Sequence, residues 1–283
     1  MPSLALGTAN FGSRYGISSN LSPSITEARR ILSWAVGEVD ELDTSLDYKG
    51  SHKVVSEFAG SFQITSKINL DHVAATVELT DRISRICDEL GKDKIERVLL
   101  RPHTKDPLFT VEAIQKLRHI QSKGVIGDFG LSIYDTSELR YFSKALDSDL
   151  TFQVPLNFFN RSFQEEYASN SSVFANSRFY VRSIFLQGLL LMNPNEVPAN
   201  LQDAHHHIKV LRQELATLGT SVIEATMAFI KDQSWITGIV LGVNNRRNLK
   251  ENIEAFHRNS NLDWSFLSNL PKVPMKIRDP RLW

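Results

Sequence analysis

The strongest constraint on this chain is an eightfold alternation of short β-rich runs with segments of helical periodicity. The runs are Leu4–Thr8, Val39–Thr44, Phe62–Lys67, Ile95–Leu100, Ile126–Ser132, Thr151–Val154, Phe179–Ile184 and Trp235–Leu241. Such alternation is the sequence sign of βαβ units around a parallel sheet. Eight strand–helix pairs in 283 residues favour an α/β (β/α)8 TIM barrel, a single domain spanning residues 1–283, because such barrels run to about 250 residues as one unit. No Pro-, Ser- or Gly-rich stretch of linker length divides the chain. Gly7, Gly12 and Gly16 are spaced too widely for a dinucleotide-binding Gly-x-Gly-x-x-Gly turn, which weakens an open doubly wound sheet.

Helix starts are marked by Ser24-Ile25-Thr26-Glu27 and Asp135-Thr136-Ser137-Glu138, where an oxygen cap precedes a Glu by three residues. Two further helices are expected to begin near Ser51 and Thr110. Between Ala74 and Leu90, apolar Val77, Ile83, Ile86 and Leu90 recur at three- and four-residue offsets, as on a helix packed against a sheet.

Composition narrows the function. The 32 basic residues balance 32 acidic ones, and this neutrality argues against nucleic-acid binding by bulk electrostatics. No apolar run approaches the roughly 20 residues of a membrane-spanning helix, so no membrane partner is expected. The N-terminal Met1-Pro2-Ser3-Leu4-Ala5-Leu6-Gly7 lacks a basic leader and apolar core, and Cys87 has no second cysteine to pair with. A cytoplasmic protein with a buried, structural Cys87 is the expectation.

In a barrel the reactive groups sit at the carboxyl ends of the strands. Strand two ends in Asp43 and runs on to Tyr48, strand three ends in Lys67, and strand four leads into Arg101-Pro102-His103. Strand five ends in Ser132, and strand six carries Gln153 and continues to Asn157 and Phe158. An acid, a phenol and an ammonium on one rim suit proton donation to a carbonyl. A nearby Lys67 would stabilise the Tyr48 phenolate and lower a pKa of about 10, and Asp43 would hold the ammonium in place.

These residues resemble those of the aldo/keto reductase family. The likeness runs from Leu6-Gly7-Thr8-Ala9-Asn10-Phe11-Gly12 to the C-terminal Asp279-Pro280-Arg281-Leu282-Trp283. It rests on Asp43-Thr44-Ser45-x-x-Tyr48, Thr65-Ser66-Lys67, Gly130-Leu131-Ser132, Gln153-Val154-Pro155-Leu156-Asn157 and the stretch from Gly242 to Glu251-Asn252. The resemblance implies an oxidoreductase barrel that binds NADPH or NADH and reduces aldehydes or ketones, with no metal. It assigns Tyr48 as general acid, with Lys67 and Asp43 as its partners. Ser132 and Gln153 would hold the nicotinamide carboxamide, and Phe185, Gln187 and Gly188 would meet the pyrophosphate. Gly242, Val243, Asn244, Asn245 and Asn252 would line the adenosine end. Arg182 stands about where relatives stack an aromatic on the nicotinamide, a role an Arg plane can also fill. Asn157 and Phe158 are candidates for the substrate side.

Two departures bear on chemistry. The family's catalytic His follows Leu-Leu at the end of strand four, whereas here Leu99-Leu100 is followed by Arg101, with His103 two residues on. Either residue is a candidate for the role. An Arg cannot exchange protons but can donate hydrogen bonds to an oxyanion, and it would favour an anionic substrate. The second departure is at Gly242, Asn244 and Asn248, where NADP-preferring relatives carry a basic side chain. Arg246 or Arg247 would have to meet the 2′-phosphate, which leaves NADP(H) favoured and NAD(H) its competitor. The chain most resembles bacterial members of surface-polysaccharide and acidic-sugar pathways, which points to a sugar-derived substrate. Two alternatives stand beside the reductase: a redox-weak barrel acting as a regulatory or interaction subunit, and a sugar isomerase or epimerase using bound cofactor.

Other features have plainer readings. His205-His206-His207 reads as a solvated helix start, since three successive helical residues cannot face one ion. Asp47 and His52 flank Tyr48 as candidates for shaping substrate entry or for no role. Phe158, Phe159, Phe163, Phe174 and Phe179 read first as core, with Phe158 or Phe159 as a substrate wall second. Trp283 is open between a loose tail and a lid.

Overall fold

The structure, a computed structural model, describes residues 1–12, 16–17, 22–48, 50–146, 149–259 and 261–283. Eight parallel strands close into a barrel in chain order: β1 (Ser3–Gly7), β2 (Glu41–Ser45), β3 (Gln63–Asn69), β4 (Ile95–Arg101), β5 (Ile126–Ser132), β6 (Thr151–Pro155), β7 (Arg178–Arg182) and β8 (Ile236–Gly242). The expected (β/α)8 barrel is the fold observed. Around it lie α1 (Ile25–Ala35), α2 (Ser51–Val55), α3 (Glu78–Leu90), α4 (Pro107–Ser122), α5 (Thr136–Leu146), α6 (Ser162–Asn170), α7 (Ala204–Thr217), α8 (Val222–Lys231) and α9 (Arg246–His257). A short α10 (Met275–Arg278) lies near the C-terminus.

Side chains alternate across a strand with period two, so Glu41, Asp43 and Ser45 share one face of β2, Thr65 and Lys67 one face of β3, and Arg97, Leu99 and Arg101 one face of β4. The register pairs Gly7 with Asp43, Ser45 with Lys67 and Ser132 with Gln153, which brings the polar strand ends to one rim. At the opposite end Arg97 closes the barrel. Its guanidinium donates to Glu41 Oε2 at 2.7 Å, Asp128 Oδ2 at 3.0 Å and the Tyr180 hydroxyl at 2.8 Å. Where β5 meets β6 the approach is so close that a Cβ on Gly130 would collide with the Thr151 carbonyl oxygen.

Two helix expectations need correction. Helix α4 starts at Pro107 rather than near Thr110, because the Asp106 carboxylate accepts the Phe109 N–H at 3.0 Å and Pro fits a first turn. Val77 precedes α3 and is 67% exposed, whereas Leu79, Ile83, Ile86 and Leu90 form the buried face. The five phenylalanines after β6 are all buried core. Cys87 is half-buried against that core, and burial pushes its thiol up. Among the described residues no helix is long and apolar enough to cross a membrane.

Candidate active site

The rim opens into a cavity. Asp43, Tyr48, Lys67, Arg101, Ser132, Gln153 and Arg182 line one part of it, and Phe185, Gln187, Gly188, Gly242, Val243, Asn244 and Asn252 another.

Local hydrogen bonds explain the placement. Ser45 Oγ donates to the Lys67 carbonyl at 3.0 Å and accepts the Asp47 N–H at 3.2 Å, tying the turn after β2 to β3. The Tyr48 N–H donates to the Ser45 carbonyl and the Ser51 N–H to the Tyr48 carbonyl, so the phenol sits on a turn locked at both ends. Lys67 forms an ion pair with Asp43 Oδ1, both side chains being buried. Asp43 Oδ2 accepts from Gln153 Nε2 at 2.7 Å, and Ser132 Oγ donates to Gln153 Oε1 at 3.3 Å. The chain Lys67–Asp43–Gln153–Ser132 therefore crosses the barrel mouth. The Lys67 Nζ lies 5.4 Å from the Tyr48 ring centroid.

The Tyr48 pKa is raised rather than lowered. Burial pushes its hydroxyl well above the ordinary phenol value and Asp43 adds to this, while Arg101 and Arg182 pull it down. Burial also lowers the Lys67 ammonium, against the opposing pull of Asp43. The phenol that is drawn down is Tyr134, which was not singled out from the sequence. The Arg182 charge outweighs burial there, joined by Arg101 and Arg281. Arg182 Cζ lies 3.9 Å and Arg281 Cζ 4.1 Å from the Tyr134 centroid, and Arg101 lines the same cavity. The only signal for Tyr134 was its place two residues after Ser132.

The structure separates the two candidates on β4. Arg101 shares the inward face with Arg97 and lines the cavity. His103 lies beyond the strand in another hollow with Asp71 and His72, its Nδ1 accepting the Lys105 and Asp106 N–H groups. The separation follows from where the strand stops: β4 ends at Arg101, and beyond it the chain carries His103 to the hollow with Asp71 and His72. On the substrate side, Asn157 is buried and organises its own loop, donating to the Ser183 carbonyl and accepting from Phe159 and Asn160. Phe158 packs on Phe229 and Phe266 rather than lining the cavity. His52 turns away to Glu89 at 2.9 Å, and Asp47 lies 3.3 Å from His72.

Beyond β7 the backbone enters the left-handed region at Ser183, Leu186, Gln187 and Gly188, with φ of 56°, 50°, 52° and 93°. Three non-glycine residues there are costly and mark strain held for a purpose. Within the turn the Leu186 N–H donates to the Ser183 carbonyl at 2.8 Å and the Gly188 N–H to the Phe185 carbonyl at 3.0 Å. At the far end Asn10 Nδ2 donates to the Val243 carbonyl at 2.6 Å and to Asn244 Oδ1 at 2.9 Å, fixing the loop after β8. Asn245 caps α9 by accepting the Asn248 N–H at 2.9 Å and does not line the cavity. Asn248 and Glu251 do line it. Arg246 faces Trp34, and Arg247 is 86% exposed in a pair with Glu251, so neither guanidinium reaches the cavity here. Among the described residues no group of three metal-ligating side chains occurs.

The chain belongs to the aldo/keto reductase family, whose family model matches residues 3–270. No curated protein sequence matches it. Among solved structures it is similar to the aldo-keto reductase AKR11C1 from Bacillus halodurans, at 18% identity and a TM-score of 0.77, covering 98% of this chain and 95% of that one. The glycerol dehydrogenase AKR11B4 from Gluconobacter oxydans gives 17% identity and a TM-score of 0.71, covering 96% and 93%. A putative aldo-keto reductase from Pseudomonas aeruginosa gives 18% and 0.65, covering 90% and 89%. Identities this low show the shared barrel. Family membership makes the protein a carbonyl oxidoreductase.

Proposed function

We propose that the protein reduces an aldehyde or ketone with Tyr48 as general acid. The observation that carries this reading is the buried Asp43–Lys67 pair beside Tyr48, in the same cavity as the strained turn at Ser183–Gly188. That turn and the amide-rich far end, with Asn10, Asn244, Asn248 and Asn252, fit an elongated dinucleotide. Bound NADPH or NADH would supply a hydride to the carbonyl carbon. Tyr48 then gives its proton to the carbonyl oxygen, and Lys67, Arg101 and Arg182 are the cations placed to stabilise the phenolate left behind. Arg101 cannot exchange protons, so its part is to donate hydrogen bonds to the developing oxyanion. In this reading Ser132 and Gln153 would hold the nicotinamide amide and Arg182 would meet its ring face.

An exposed ion pair contributes little, so a 2′-phosphate can draw Arg247 from Glu251, and NADP(H) stays ahead of NAD(H). Fluorescence titration with NADPH and NADH tests this; binding of neither sinks the reductase. Arg101 also argues for a substrate bearing a carboxylate or phosphate, as an acidic sugar does, in a cytoplasmic surface-polysaccharide route. Arg101→Ala should raise KM for anionic carbonyl compounds by tenfold or more and leave neutral ones near the original value; equal effects would defeat that specificity. The same Arg101 favours one rival, a barrel that binds cofactor without turnover, which a carbonyl panel separates.

A further inference from the structure

A second hollow lies beside the reaction cavity, and Tyr134, Arg182 and Ser183 line both. Its far wall is the C-terminal segment, which supplies Arg278, Asp279 and Arg281. Three guanidinium groups thus face two carboxylates, Asp279 and Asp135. Both carboxylates are occupied: Asp279 holds Arg281 through two hydrogen bonds at 2.9 and 2.6 Å, and Asp135 Oδ1 accepts the Ser137 N–H. Arg182 is partly engaged, donating to the Ile133 carbonyl at 3.0 Å. Arg278 has no ion pair among the described residues, and its Nε is buried without an acceptor. A buried guanidinium donor left unmatched is costly and calls for an acceptor. Glu138 also acts on Arg281, so what sets Arg278 apart is its buried, unmatched donor and its lack of an ion pair.

We propose that this hollow is an oxyanion site, in which a carboxylate or phosphate group is held by Arg278 and Arg281 with Arg182 at the inner wall. The forked guanidinium matches either anion in a way an ammonium does not. Because Tyr134 and Arg182 face both cavities, the anion has two sources. It is the distal end of a long substrate whose carbonyl lies at Tyr48, a source that rests on the reductase reading, or it is a free anion whose binding is felt across Tyr134.

The probe is inorganic phosphate, titrated against thermal unfolding of the full chain with chloride at matched ionic strength as control. Phosphate should raise the melting temperature of the original protein, and Arg278→Gln should weaken the apparent affinity at least tenfold. Arg278→Lys, which keeps the charge and loses the fork, should fall between them and serves where the Gln variant folds poorly. No phosphate effect beyond chloride, or an equal effect in both variants, overturns the site. Turnover of ω-oxo acids against alkanals of equal carbon number then separates the sources. A KM rise in Arg278→Gln for the acids alone assigns the site to substrate, and unchanged KM values assign it to a free anion. Absence of turnover on either series counts against the reductase reading and leaves the phosphate result standing.

Discussion

Tyr48 and Tyr134 show how the same side chain takes opposite character from its neighbours. Burial and Asp43 raise the first, whereas Arg182, Arg101 and Arg281 lower the second. With Tyr48 as the proposed acid, reduction needs its hydroxyl protonated, and activity is lost as pH rises through its pKa. With that value raised, kcat/KM in the Tyr134→Phe variant should stay level until beyond about pH 10, the ordinary phenol value. The variant removes the second phenol from the profile, and an alkaline limb near neutrality would contradict the assignment. The candidate acid, its Lys and its Asp were legible in the sequence because strand ends in a barrel converge. Tyr134 was not, since its environment is made by Arg101 on β4, Arg182 on β7 and Arg281 near the C-terminus, which no local pattern relates.

At the scale of elements, strand order and number were legible, with ends moved by one or two residues for definite reasons. The seventh run, expected to reach Ile184, stops at Arg182 because Ser183 turns to a φ of 56°. The second, expected from Val39, starts at Glu41, a buried acid that hydropathy cannot recognise as interior without Arg97. The C-terminal segment is neither a loose tail nor a free lid: Trp283 Nε1 donates to the Lys276 and Ile277 carbonyls at 3.0 and 3.2 Å. Burial pushes the Asp279 carboxyl up, but hydrogen bonds from Arg281 outweigh it and hold the group below its ordinary value. A depressed carboxylate stabilises above its unfolded pKa of about 3.9 and ceases to as pH falls through its folded value. The Trp283 indole N–H resonance should therefore shift as pH falls below about 4, and Asp279→Asn should show the shifted position already at neutral pH. A resonance insensitive to both would mean that the segment is held by other contacts.

Across the whole molecule the barrel divides into a reactive rim and a structural end, as parallel barrels do. Charges serve different purposes at the two ends. Arg97 is a hub: Glu41 and Asp128 both bond it, Arg178 shares Asp128 at 2.7 Å, and Arg97 Cζ lies 4.1 Å from the Tyr180 ring centroid. Arg97→Met leaves Glu41 buried without its partner and should cost about 3–5 kcal/mol, the usual loss on breaking a buried pair. A drop in melting temperature with cofactor affinity unchanged is expected; a variant as stable as the original would show that the hub is not structural. Composition and alternation disclosed the barrel but not this plug, because its charges look like surface residues until the strands close.

Turnover measured beside cofactor binding tests the central claim most directly. The original protein and Tyr48→Phe are assayed for NADPH and NADH consumption across neutral and anionic aldehydes and ketones. Tyr48 as the acid predicts cofactor consumption with at least one carbonyl compound, a loss of at least a hundredfold in Tyr48→Phe, and cofactor affinity unchanged within a few-fold. Undiminished turnover in Tyr48→Phe, or cofactor binding without turnover on any compound, would contradict it.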